Sequence, residues 1–153
     1  SSSGSSGSCS SLPYSELAAS SGPDAMRLLQ LTPDDGRSAN RALLIFFPGS
    51  DGTGQAIMPQ LPALHAAGYH VWTLNLPPPN RQDWDALTDD ACALVRALLH
   101  DWRRSSTERP GDASVAATAL AESFGGCLAL RVAAQSPELL EQMVLLNPAT
   151  SYN

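Results

Sequence analysis

Ser123 is the residue whose neighbours best suit covalent chemistry. It stands in AESFGG, residues 121 to 126, between the apolar runs VAATAL and CLALRVAA. A serine held in a sharp strand-to-helix turn takes strained backbone angles, so the residues two positions to either side must be small. Those positions hold Ala121 and Gly125, and Gly126 gives further room for a helix to approach a sheet. Ala121 departs from the G-x-S-x-G form of the motif, by a single methyl group. Such a turn serves acyl transfer through a serine ester. A helix N-cap serine would look the same in isolation, so the residue type alone does not separate the two roles.

Acyl transfer also needs donors for a developing oxyanion. A helix that starts just after Ser123 would aim its first N–H groups and the positive end of its dipole at the space above the hydroxyl, making the N–H of Phe124 the first donor. The second is expected from PGSDGTG, residues 48 to 54, which leaves an apolar strand and carries Gly49, Gly52 and Gly54. The N–H of Ser50 is the preferred donor there, with Asp51 as the alternative. The same loop invites comparison with a phosphate cradle, but it lacks the Lys-Ser/Thr pair of a P-loop and the G-x-G-x-x-G spacing. Glu122 reads as a solvated or loop-bonded carboxylate that points away from its neighbour Ser123.

These residues need an alternating framework. LLIFF (43–47) and YHVWTLNL (69–76) are apolar runs cut off by Pro48-Gly49 and by PPPN. SVAATALA (114–121) and QMVLLN (142–147) repeat the pattern, and runs without polar alternation suit strands buried on both faces. Between them lie helical patterns. Ile57, Leu61 and Leu64 mark a short helix over 57–67, with Pro59 and Pro62 limiting it and Gly68 ending it. Asp83 caps a long helix to about Arg104, whose stripe is Trp84, Leu87, Ala91, Leu94, Leu98 and Trp102. Residues 124–136 form a third helix closed by Pro137, and ERPGD (108–112) a turn. Strand-helix alternation of this kind predicts an α/β fold with a parallel sheet flanked by helices. Residues 12–40 are expected to hold at most one short element near Ala25–Leu31, and residues 1–11 form a Ser/Gly-rich flexible tail.

The chain has 153 residues, 43% of them hydrophobic and 16% charged, which suits a packed globular core. A formal net charge of -6 argues against a nucleic-acid surface, and no apolar run reaches the length of a membrane span. Cys9, Cys92 and Cys127 are scattered, forming neither a zinc set nor a disulfide framework; Cys92 and Cys127 suit a core. Nothing in the pattern calls for a metal or a cofactor.

FFPGSDGTG, then GYHVWTLNLP, then AESFGGCLALRVAAQSPELLEQMVLLNPATSY together resemble the α/β-hydrolase domain of the plant and algal esterase/lipase/thioesterase family, which includes the chloroplast phytyl ester synthases. The similarity runs from about residue 41 onward. It implies a plastid serine esterase or O-acyltransferase acting on lipid acyl groups, with room for peripheral contact with a membrane or lipid body, and with a second, acyltransferase-like domain downstream. In this fold the acid and the histidine follow the serine in the chain, whereas His65, His70 and His100 all precede Ser123 and read as surface or boundary residues. The expectation is that residues 41–153 form the N-terminal half of a hydrolase domain, with the triad acid and His outside the chain. The 153 residues alone are then expected to be nearly inactive and poorly soluble. The alternative is a non-catalytic relative that binds a lipid or a protein partner.

Overall fold

The computed structural model describes residues 15–36, 41–105 and 116–149. The tail at 1–11 and the turn at 108–112 lie outside them, as does Cys9. Six strands, β1 (Glu16–Ala18), β2 (Arg27–Gln30), β3 (Ala42–Phe47), β4 (Tyr69–Asn75), β5 (Ala117–Glu122) and β6 (Leu140–Leu146), make one sheet in the order β1-β2-β4-β3-β5-β6. β4, β3, β5 and β6 are parallel. β3 and β4 are buried on both faces, as their apolar runs predict. β6 corrects the expectation, since it lies at the sheet edge with Val144 and Leu146 49% and 45% exposed. The two N-terminal strands correct the expectation: β1 and β2 pair antiparallel, and β2 pairs antiparallel with β4. The sheet is therefore mixed. β1 is three residues long and half-exposed, too short to show a period of two.

The described residues also hold the α-helices α1 (Leu61–Ala66), α2 (Trp84–Ser105) and α3 (Phe124–Gln135). The helix expected over 57–67 is split, because a 3-10 turn at Gln55–Gln60 holds Pro59 and leads into α1. Asp83 caps α2 by accepting the N–H of Ala86 at 2.9 Å. Leu87, Ala91, Leu94, Leu98 and Trp102 bury the α2 stripe as the spacing requires. Alternation divides each central strand between two faces. Leu43, Ile45 and Phe47 join the core under α2 and α3, while Phe46 and Leu120 share the other face with Ile57 and Leu64. Cys92 is buried in the core, and burial raises its thiol pKa. Cys127 is only half-buried, with its thiol donating to the carbonyl of Ala149 at 3.1 Å.

His70 overturns its reading as a surface or boundary residue. It is 2% exposed, stacks on Trp102 with ring centroids 5.0 Å apart, and lies 3.0 Å (Nδ1) from the Thr32 hydroxyl. That hydroxyl oxygen also accepts the N–H of Val71 at 2.9 Å, tying the ring to the β4 backbone. Burial holds the His70 pKa down at about 4, from 6.5, against the opposing pull of Asp34. The unfolded chain thus binds the His70 proton more tightly than the folded one. Stability from the neutral, buried ring is complete above pH 6.5 and is lost as the pH falls toward 4. Denaturant melts at pH 7 and pH 4.5 should differ by about 2 kcal/mol more in the parent than in His70→Gln. Equal pH dependence in the two proteins would contradict a neutral buried ring.

Candidate active site

Ser123 sits between β5 and α3 with φ 49 and ψ -116, and its side chain makes no capping hydrogen bond to the helix. An N-cap serine has extended backbone angles and spends its oxygen on the N–H of the second or third helical residue. Ser123 does neither. Its backbone is pinned on both sides: its N–H donates to the carbonyl of Leu146 at 3.1 Å, and its carbonyl accepts from Gly126 at 3.0 Å and from Ala149 at 3.2 Å. β6 and the segment after it thus clamp the turn.

The small neighbours have measurable reasons. Ala121 is fully buried, paired with Phe47 of β3 on one side and Leu145 of β6 on the other. A Cβ on Gly125 would lie 2.1 Å from the carbonyl oxygen of Phe47 and 2.5 Å from that of Pro48, both rigid backbone. Gly126 is packed less severely, its nearest neighbour being the Pro148 ring at 3.0 Å.

The glycine-rich loop comes to the same point. A Cβ on Gly49 would stand 3.8 Å from that of Ser123, so the loop passes directly beside the serine. The loop is fixed by Gly52, whose N–H donates to Gly49 at 3.0 Å and whose carbonyl accepts from Leu76 at 2.9 Å and from Asn75 Nδ2 at 3.2 Å. Gly52 has φ 66, and a Cβ there would meet the Leu76 carbonyl at 2.4 Å, so no other residue fits. Ser50 lines a cavity of about 360 Å³ together with Gly49, Gly52 and Phe124. Asp51, the alternative donor, is exposed and does not line that cavity, its carboxylate accepting from the Thr53 hydroxyl. Gly54 belongs to the outgoing turn, packed on the Thr73 side chain.

Sequence reasoning missed what holds Phe124. Its ring stacks on Trp84 of α2 at 4.8 Å, and Arg131 covers Trp84 at 5.8 Å while bonding to Thr88 and Asp85. The signal was present, since Trp84 opens the α2 stripe, but its partner could be found only in space. Glu122 is half-buried in a cavity on the other face of the sheet, beside Leu120 and Leu146, and not fully solvated.

The histidines lie elsewhere. His70 begins β4, Arg41 just before β3 donates to the carbonyl of His65 at 2.6 Å, and His100 lies near the C-terminal end of α2. All three are at the N-terminal ends of the parallel strands, whereas Ser123 follows the C-terminal end of β5. A larger cavity of about 480 Å³, lined by His70, Trp72 and Trp102, is at that far end too, away from the serine. Among the described residues no group of three His, Cys, Asp or Glu side chains could hold a metal, and no helix is long and apolar enough to cross a membrane.

No family model matches the chain. Phytyl ester synthase 1, chloroplastic, of Arabidopsis thaliana is 36% identical over 121 residues, covering 78% of this chain and 16% of that protein. Phytyl ester synthase 2, chloroplastic, of the same plant is 30% identical over 117 residues, covering 76% and 15%. The chain belongs with the phytyl ester synthases, on an α/β-hydrolase fold. Two solved structures carry the same architecture. A carboxylesterase of the thaumarchaeon Nitrososphaera gargenis superposes with a TM-score of 0.61 at 17% identity, over 92% of this chain and 47% of that one. A hydrolytic enzyme of Pseudomonas aeruginosa gives 0.59 at 22% identity, over 88% and 40%. This phytyl ester synthase relative spans about a sixth of the length of the curated proteins it matches.

The backbone strain at Ser123 should be measurable without any reaction. Ser123→Gly and Ser123→Ala both lack the hydroxyl, but only glycine relaxes at a positive φ, so Ser123→Gly should be the more stable by about 1 kcal/mol. Gly125→Ala should lose about 3 kcal/mol or more, because the backbone oxygens it meets have nowhere to go. Chemical denaturation of the three variants tests both statements, and equal stability of the two Ser123 variants would remove the strain.

Proposed function

We propose that Ser123 is the nucleophile of a plastid lipid ester-handling enzyme that passes an acyl group through a serine ester. The observation that carries this reading is the strained serine, held at φ 49 with no capping bond, beside the Gly49–Gly52 loop. Strain of this kind persists only where the surroundings over-determine it, and it concentrates at functional sites. In the proposed step Ser123 Oγ attacks the carbonyl carbon of a lipid ester, and the carbonyl oxygen takes the negative charge. Phe124 is the first residue of α3, which puts its N–H at the positive end of the helix. That N–H is assigned as one oxyanion donor and the N–H of Ser50 as the other, with the helix dipole adding its positive end. The alcohol portion leaves, and a second alcohol or water resolves the acyl-serine.

Proton removal from Ser123 needs a base, which none of the three histidines is placed to supply. The reading therefore assigns the base, and the acid that orients it, to sequence outside these 153 residues. The names of the Arabidopsis relatives favour an acyl group transferred to an isoprenoid alcohol in the chloroplast.

A fluorophosphonate probe applied to the full-length gene product should leave its adduct on the peptide containing Ser123. Ser123→Ala should abolish the adduct and lower ester turnover by at least about a thousandfold. An unlabelled Ser123 in a folded full-length protein would instead leave a non-catalytic lipid-binding relative.

A further inference from the structure

Trp84 and Phe124 are the first residues of α2 and α3, both half-buried, and their rings stack at 4.8 Å. Phe124, Arg131 and Gln135 recur at steps of seven and four, which places them on one face of α3. That face runs along the start of α2. The Arg131 guanidinium covers the Trp84 ring at 5.8 Å, its Nε donates to the Thr88 hydroxyl at 3.0 Å, and its Nη2 donates to Asp85. Thr88 in turn donates to the Trp84 carbonyl at 2.6 Å, and Gln135 donates to Asp89 at 2.7 Å. Trp84 is thus held by α3 at two points about 10 Å apart along the helix axis. One contact would let α3 pivot, whereas two fix its direction.

We propose that Trp84 and Arg131 are positioning residues for the oxyanion donor, setting where the N–H of Phe124 stands beside Ser123. The assignment rests on the serine reading. The N–H and the ring of Phe124 belong to one residue, so a ring that cannot shift leaves the N–H little freedom to turn. Gly125 rests the start of α3 on β3, and the Trp84 stack holds the same turn from α2. A donor held this way has its full worth, because stabilisation of a developing oxyanion falls steeply with misplacement. The brace is not core packing. The Arg131 and Asp85 side chains are 42% and 88% exposed, where an ion pair adds little to stability. The planar guanidinium fork reaches Thr88 and Asp85 while its carbon stays over the Trp84 ring, a set of contacts that an ammonium group cannot reproduce. Neither Trp84 nor Arg131 lines the cavity beside Ser123, so both act on the donor rather than on what that cavity holds.

Turnover of p-nitrophenyl butanoate by the full-length gene product, with a fluorophosphonate counting the reactive Ser123, tests this. Arg131→Lys should lower kcat about tenfold and Trp84→Leu about a hundredfold, with KM and the final extent of Ser123 labelling unchanged. The denaturation midpoint of Arg131→Lys should match that of the parent. Trp84→Phe keeps a ring for the stack and should recover most of the loss. Phe124→Leu keeps the N–H but lacks the ring, so the double variant with Trp84→Leu should be no slower than the slower single variant. Losses that multiply in the double variant, a Trp84→Phe as slow as Trp84→Leu, or an unchanged kcat in Arg131→Lys and Trp84→Leu would each overturn the positioning role and keep a labelled Ser123 as nucleophile. A folded parent whose Ser123 stays unlabelled would overturn the nucleophile and the positioning role with it.

Discussion

The close approach of α3 to β3 at Gly125 is the contact on which the site depends. With backbone oxygens of Phe47 and Pro48 at 2.1 and 2.5 Å from where a Cβ would be, the helix start rests directly on the end of the strand. That approach leaves the chain no room for a gradual turn after β5, so Ser123 must reverse direction in one residue. The same contact sets the glycine-rich loop, because Pro48 and Gly49 leave β3 beneath the helix they touch. Serine and loop are therefore adjacent for one reason. A methyl group at position 125 would move both.

Around that contact the forces are unequal in kind. The core beneath it is apolar packing from β3, β5, α2 and α3, with Ala119 and Ala121 fully buried. Small residues on β5 let α3 lie close, which again serves the glycine contact. The far end of the strands is organised differently, around a neutral histidine between two tryptophans and a threonine that satisfies the backbone. Thr32 there ties the chain after β2 to Val71 of β4, while the Trp72 indole N–H is buried without a hydrogen-bond partner. At the C-terminal end the backbone is likewise pinned, through Leu146 and Ala149.

Legibility in the sequence followed how local each feature is. The central strands and α2 were readable because burial on both faces gives continuous apolar runs and one-sided burial gives a period of 3.6. The tight strand-to-helix turn at Ser123 was readable because its steric demands fall within five residues. The antiparallel pair β1–β2 was not, since three and four residues carry too little pattern and their place in the sheet is decided by β4. His70 misled for a similar reason: a histidine at the start of a strand reads as a boundary residue, and its burial comes from Trp102 and Thr32, which are 32 and 38 positions away. The cavity beside Phe124 draws on residues from 26 to 128, and only the folded chain brings them together.

Two non-glycine residues have positive φ among those described, Ser123 at 49 and Asn147 at 43, and they lie side by side through the Ser123–Leu146 hydrogen bond. Their meaning differs. Asparagine visits the left-handed region at low cost because its amide can bond locally, and here it simply turns the chain after β6 so that Ala149 can reach the Ser123 carbonyl. Serine has no such tolerance at ψ -116, and the surrounding structure supplies glycine or alanine wherever crowding would otherwise relax it. Relief was available by placing glycine at 123 itself. The residue there carries a hydroxyl beside a helix N-terminus and makes no capping bond to the helix, so the strain at 123 is not offset by a cap.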